Sequence, residues 1–193
     1  MSEWITHLTY KIENQAAKAG LVYKFACGYY RDVIQNEIAL ANITDKDHIL
    51  CIGGGMCPFS AILFHQLTGA KVTVIDNNAD CIPKAKQAIK RLELDQFVQV
   101  FHQDGNGTDI RFTNYSVIHL ALQIRPIERM FHTIKKEMTS GTKLLVRRPK
   151  KHLEEMYDQL SDDLLAHCPH TAHKSRNIGS TVLYTKPAEI GAS

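Results

Sequence analysis

The first forty residues carry a four-residue rhythm. Trp4, Leu8, Ile12 and Ala16 recur at i, i+4, which predicts a helix over 3–20 closed by Gly20. Phe25, Tyr29, Val33, Glu37 and Ala41 fall on a second line and predict a helix over 24–42. The pattern then changes. Short apolar runs rich in β-branched residues predict strands at 48–52 (HILCI), 71–76 (KVTVID), 97–103 (FVQVFHQ), 115–122 (YSVIHLAL), 142–148 and 180–186 (STVLYTK). Helices are expected between them at 58–68, 79–92, 126–138 and 151–166. This alternation predicts an α/β fold with a mostly parallel sheet. Residues 170–186 leave no room for a crossover helix, so a closing hairpin with an antiparallel edge strand is expected. Two units follow: a helical extension over 1–45, capping the carboxyl ends of the strands, and a sheet domain over 46–193.

Composition narrows the class. The chain has 193 residues, enough for one sizeable core, with 44% hydrophobic and 22% charged residues. A net charge of +3 is too mild to call for nucleic acid or a membrane surface. No apolar run approaches the roughly 20 residues of a membrane span. The opening MSEWITHLTYKIENQ lacks the layout of a signal peptide. Five cysteines (Cys27, Cys51, Cys57, Cys81, Cys168) form no Cys-x-x-Cys pair and read as reduced, which places the protein in the cytoplasm.

The stretch HILCIGGGMCPFSAILFHQLTG, residues 48–69, carries the chemistry. A strand runs into Gly53, Gly54 and Gly55, and a helix opens at Pro58. Glycines there permit positive φ and close backbone approach to a ligand. A dinucleotide site would want Gly or Ala where Pro58 stands, with helix N–H groups on a pyrophosphate. Proline suits a first helical turn but donates nothing. A phosphate-free nucleoside is therefore favoured, and S-adenosylmethionine fits that description. Asp76 ends the second strand about 20 residues on, where a carboxylate accepts from ribose hydroxyls, and Asn77 follows it. Asp104, ending the third strand, is a candidate for the adenine end or for capping its own loop.

These residues resemble the cofactor-binding half of the nicotianamine synthase family. The similarity lies in the glycine turn followed by Pro58 and Ser60, in the paired-tyrosine helix GYYRDVIQNE (28–37), in LLVRR (144–148) and in the closing RNIGSTVLYTK. The resemblance implies a Rossmann-like class I methyltransferase fold. It implies S-adenosylmethionine as cofactor, transfer of its 3-amino-3-carboxypropyl group to an amine, and Tyr30 near the reacting group. The family's larger N-terminal domain has only about 45 residues as counterpart here, with Glu3 and Glu13 as substitutes for its acidic residue.

Further candidates come from the chemistry of a sulfonium. Aromatic rings hold such a cation, and Tyr29 and Tyr30 are the candidates, set against a packing role for both. Glu37 shares a helix face with Tyr30 and is a candidate base or ammonium ligand, set against a solvated helix glutamate. Gln123 and His119 are candidate pocket residues, His119 reading more simply as a core histidine. Arg147 is a candidate substrate contact, because its strand points toward the ligand end. The rest of RRPKK (147–151) reads as a solvated turn. The histidines of HCPHTAH (167–173) alternate faces, so no metal site is expected. HLALQIRP lacks the Asn/Asp-Pro-Pro-aromatic motif of nucleic-acid amino-methyltransferases. The expected protein is a transferase for a small amine or amino acid, or one that cyclises the transferred group to azetidine-2-carboxylate. A small-molecule methyltransferase is the first alternative, and a non-catalytic nucleoside- or RNA-binding module the second. The oligomeric state stays open, a homodimer included.

Overall fold

The computed structural model describes residues 20–107 and 109–188. Seven strands form one sheet: β1 (His48–Ile52), β2 (Lys71–Asp76), β3 (Val98–His102), β4 (Val117–Leu120), β5 (Lys143–Pro149), β6 (His170–Ala172) and β7 (Ile178–Thr185). Their spatial order is β3-β2-β1-β4-β5-β7-β6. The first five run parallel, while β7 is antiparallel to both β5 and β6. The closing hairpin is thus present, with β7 between β5 and the three-residue β6.

The helices are α1 (Gly20–Ala41), α2 (Phe59–Thr68), α3 (Cys81–Arg91), α4 (Ile127–Glu137) and the single turn α5 (Asp162–Leu165). Strand alternation divides the core in two. Ile49, Cys51, Val72, Val74, Val117 and Leu145 meet α1, α2 and α3 on one face. Leu50, Ile52, Ile118, Leu120, Leu144 and Val146 meet α4 on the other. This three-layer arrangement buries both faces, as a parallel sheet requires.

Two expectations are corrected. Gly20 does not close a helix; it is the first described residue of α1. The expected helix over 151–166 breaks into a 3-10 stretch (Lys151–Met156), extended chain and α5. Its apolar positions are too few to cover a helical face, and Leu160 and Leu165 alone are buried against the sheet. Helix α1 packs on α2 and shares its buried Ile34 and Ala41 with the sheet's own cluster. Its carboxyl half is thus part of that core. The expected helix over 3–20, with Glu3 and Glu13, lies outside the described residues apart from Gly20.

Candidate functional site

The sheet order reverses beside β1: β2 lies on one side, β4 on the other. Loops leaving adjacent carboxyl ends there diverge and open a crevice. It has two lobes that share Ile52, Gly53 and Gln123. The outer lobe, about 320 Å³, lies over β1, β2 and β3 and is lined by Asp76, Asn77, Asp104, Gly105, Asn106 and Met130, among others. The inner lobe, about 80 Å³, lies over β1, β4 and β5 and includes Tyr29, Tyr30, Pro58, Ser60, His119 and Arg147.

The glycine turn is fixed from within the protein. Gly53 and Gly55 have φ of 84° and 62°, the left-handed region. A Cβ on Gly54 would stand 2.2 Å from Val74 Cγ1, and one on Gly53 would stand 2.8 Å from Ile124 Cδ1. The bare backbone at these two positions is therefore demanded by packing, in addition to any ligand. Gly53 N–H donates to Ile75 O at 2.9 Å, and Gly55 N–H donates to Asp76 Oδ2 at 2.7 Å. Asp76 Oδ1 accepts from Asn78 N–H at 2.9 Å. One carboxylate thus pins the glycine turn and the start of α3 together. Each oxygen keeps a lone pair for a further donor. Asp104 borders the same lobe and caps its own loop through Asn106 N–H.

Beneath the inner lobe lies a buried polar cluster. Glu37 on α1 is 0% exposed. Arg147 Nε and Nη2 donate to its two oxygens at 2.8 and 2.9 Å, and Thr181 Oγ1 donates to Oε1 at 2.7 Å. Because that Thr181 hydrogen is committed, His173 must donate Nε2–H to Thr181 Oγ1, 2.8 Å away. Its Nδ1 then faces Asn36 Nδ2 at 3.4 Å as the acceptor. Burial works to raise the Glu37 pKa. The Arg147 charge, helped by His119, outweighs it and holds the carboxyl well below its usual range. Burial and then Arg147 hold His119 neutral, and burial pushes the Cys51 thiol up to about 12.

The tyrosines divide their labour. Tyr29 Oη accepts N–H bonds from Arg176 and Asn177 at 2.9 and 3.2 Å, so it donates to Ser175 Oγ at 2.9 Å. It anchors the loop between β6 and β7. Tyr30 stacks on Phe59, ring centroids 5.9 Å apart, and covers the Arg147 guanidinium at 5.9 Å.

The expected site residues therefore meet at one crevice. Gly53, Gly55, Asp76, Asn77, Asp104 and Gln123 border the outer lobe; Tyr29, Tyr30, Gly54, Pro58 and Arg147 border the inner one. Glu37 is neither a solvated glutamate nor a free base, since both its oxygens are taken inside the core. Arg147 spends Nε and Nη2 on Glu37 and Nη1 on Ser60, so its main partners are internal. Sequence reasoning missed Gly105, whose Cβ would stand 2.5 Å from Met130 Cε. It also missed Tyr157 and Asn177, which border the inner lobe from the carboxyl-terminal loops. The glycine in QDGNG was a signal for the first; nothing local marked the other two. Among the described residues no cluster of His, Cys, Asp or Glu could hold a metal ion.

No family model and no curated protein sequence matches this chain. Solved structures do. A Glu-to-Gln variant of the nicotianamine synthase MtNAS, in complex with S-adenosylmethionine, superposes with a TM-score of 0.78. It is 21% identical, over 97% of this chain and 76% of that one. An RNA methyltransferase from Salinibacter ruber, in complex with S-adenosyl-L-homocysteine, gives 0.61 at 15% identity, over 84% of this chain and 95% of that one. The fold is that of the class I S-adenosylmethionine-dependent methyltransferases. Within that fold the chain resembles the nicotianamine synthase structure in shape, including MtNAS in complex with MTA and tNA at a TM-score of 0.77.

Proposed function

We propose that this chain is an S-adenosylmethionine-dependent transferase whose leading reaction is transfer of the 3-amino-3-carboxypropyl group to a small amine or amino acid, or its cyclisation. The observation that carries the reading is the Asp76 carboxylate tied to Gly55 N–H at 2.7 Å, at the edge of a two-lobed crevice. Asp76 presents its remaining lone pairs to ribose hydroxyls. Asp104, Gly105 and Asn106 surround the base, and Gly53 lets the backbone approach between the lobes. When bound, the cofactor supplies a sulfonium with three electrophilic carbons. Tyr30 offers that cation a ring face, and the inner lobe keeps water from it. The class of solved structures, two of them methyltransferases bound to S-adenosylhomocysteine, favours methyl transfer as the second reading.

An RNA-binding module has less support. In RRPKK, Arg147 is buried, Arg148 pairs with Asp162 at 2.8 Å, and Lys150 donates to His173 O at 2.8 Å. Phosphate-gripping cations would have to be free. No helix among the described residues is long and apolar enough to cross a membrane. Cys51, Cys57, Cys81 and Cys168 form no disulfide among the described residues, which suits the cytoplasmic setting included in this reading.

Mass spectrometry of the spent cofactor, after incubation with an amino-acid and polyamine pool, tests the proposal. Methylthioadenosine supports the leading reaction, and S-adenosylhomocysteine supports methyl transfer. Absence of turnover together with salt-sensitive RNA binding overturns both.

A further inference from the structure

The sheet ends at β3, whose far edge has no strand beside it among the described residues. Phe97 O accepts from Val72 N–H at 2.9 Å, and Gln103 N–H donates to Asp76 O at 3.0 Å. Backbone groups alternate sides along a strand, so residues 97, 99, 101 and 103 face β2, while Val98, Val100 and His102 face outward. Val98 N–H is taken by Leu94 O at 2.8 Å. The N–H groups of Val100 and His102 and the carbonyls of Val98 and Val100 stand on the open edge. Sheet edges are commonly blunted by charge, proline or a bulge. The run FVQVFHQ (97–103) has no Lys, Arg, Asp, Glu or Pro, and its register with β2 is unbroken.

The side chains around this edge are unusual in two ways. Phe97 and Phe101, 42% and 45% exposed, are the exposed large apolar residues among those described. Val98 and Val100 turn into the core shared with α2 and α3, so Phe101 stands on the opposite face of β3. Beside the edge runs a groove of about 380 Å³ between β3 and α3. Lys86 and Lys90 of α3 line it, and Asp95 is the one acidic residue that does. Neither lysine belongs to an ion pair among the described residues. Across the edge, then, two unpaired cations lie on one face, open backbone groups in the middle and a phenylalanine on the other face. A second copy of the chain suits this surface poorly. Antiparallel pairing of two β3 strands puts the twofold axis perpendicular to the sheet, which keeps both α3 helices on the same face. Lys86 and Lys90 would then meet their own counterparts, a like-charge contact.

We propose that the β3 edge is a docking site for an extended segment of another protein, one in which acidic and apolar residues alternate. The segment adds to the sheet as a further strand, bonded to the outward main chain of Val98, Val100 and His102. Successive side chains of a strand point to opposite faces. The acidic set therefore lies toward Lys86 and Lys90, and the apolar set lies along Phe101. Main-chain bonds supply the affinity, and the lysines select the partner. The groove is separate from the crevice, which β3 reaches only at its carboxyl end, through Gln103 and Asp104. Docking at the edge thus does not depend on what the crevice binds.

Two capped heptapeptides test the proposal, one of alternating glutamate and valine and one of alternating lysine and valine. Each is titrated into the full chain and followed by backbone amide NMR. The glutamate peptide should shift the Val100 and His102 amides and slow their hydrogen exchange, with an affinity that falls as salt is raised. The lysine peptide should bind about tenfold more weakly, the scale of two exposed charge contacts turned repulsive. Lys86→Glu combined with Lys90→Glu, both on the exposed side of α3, should reverse that preference and leave the far-ultraviolet circular dichroism unchanged. Equal affinity for the two peptides overturns the proposal, as does the absence of shifts at Val100 and His102 with millimolar glutamate peptide. Protection of the same amides that grows with protein concentration, together with a dimer in sedimentation, assigns the edge to a second copy and also overturns it.

Discussion

Arg147 holds Glu37 by two parallel hydrogen bonds, at 2.8 and 2.9 Å, between β5 and a helix 110 residues earlier in the chain. Both residues are buried, so the pair fastens α1 to the carboxyl half of the sheet. That attachment places Tyr29 and Tyr30 over the crevice. A buried pair of this kind is weak evidence of net stabilisation against an apolar alternative, but removing one partner strands the other charge.

Glu37→Gln should therefore lower the free energy of unfolding by about 3–5 kcal/mol. Urea denaturation followed by far-ultraviolet circular dichroism measures this. A loss below about 1 kcal/mol would mean that Arg147 finds another acceptor or water.

Stability should fall with pH in two steps. Burial holds His119 and His173 below their usual pKa in the folded protein, with Arg147 adding to the effect in both and Lys150 in His173, and with Glu37 opposing it. The unfolded chain takes up protons near 6.5 that the folded chain refuses, so stability declines as pH drops below about 6.5. Glu37 is depressed in the folded state, so its contribution is complete above about 4.3 and lost as pH falls further. Denaturation midpoints from pH 7 to pH 3 check both steps. His119→Phe should shrink the first step to the share that His173 supplies.

Gly54→Ala should destabilise by about 1–3 kcal/mol through overpacking, because the new methyl overlaps Val74. Val74→Ala in the same chain should recover part of the loss. If Gly54→Ala alone is silent in thermal melts, the turn is softer than its geometry implies.

Asp76→Ala should weaken binding of S-adenosylmethionine by about 1–3 kcal/mol, the cost of losing charge-assisted hydrogen bonds. Calorimetry reads it directly, and unchanged affinity removes Asp76 from the ligand's partners. The same variant frees Gly55 N–H from its acceptor, so exchange protection at Gly55 should also drop.

Much of this architecture was legible along the chain. The strands β1 to β5 are short apolar runs bounded by glycine or polar turns, and their period identifies them locally. The glycine turn and Asp76 are separated by a fixed strand-helix-strand unit, so their meeting follows from connectivity. The solvated alternative for Glu37 fails although its position was marked: it lies on one i, i+4 line with Val33 and Ala41, both buried. The line foretold burial, but not the distant cation that makes burial of a carboxylate tolerable. Tyr157 and Asn177 were missed for a related reason. They stand on irregular chain, where no period announces which side faces the crevice.

The sequence by itself determined the order of strands and helices, the glycine turn and the acid that follows it. Those features are written in local periodicity and in backbone chemistry, which act over a few residues. Only the tertiary structure decided that Arg147 faces Glu37 before any ligand, that Thr181 and His173 complete the cluster, and that no Asp or Glu borders the inner lobe among the described residues. Those outcomes depend on long-range packing: a buried charge takes the partner that folding brings within about 3 Å, and spacing along the chain carries no record of it.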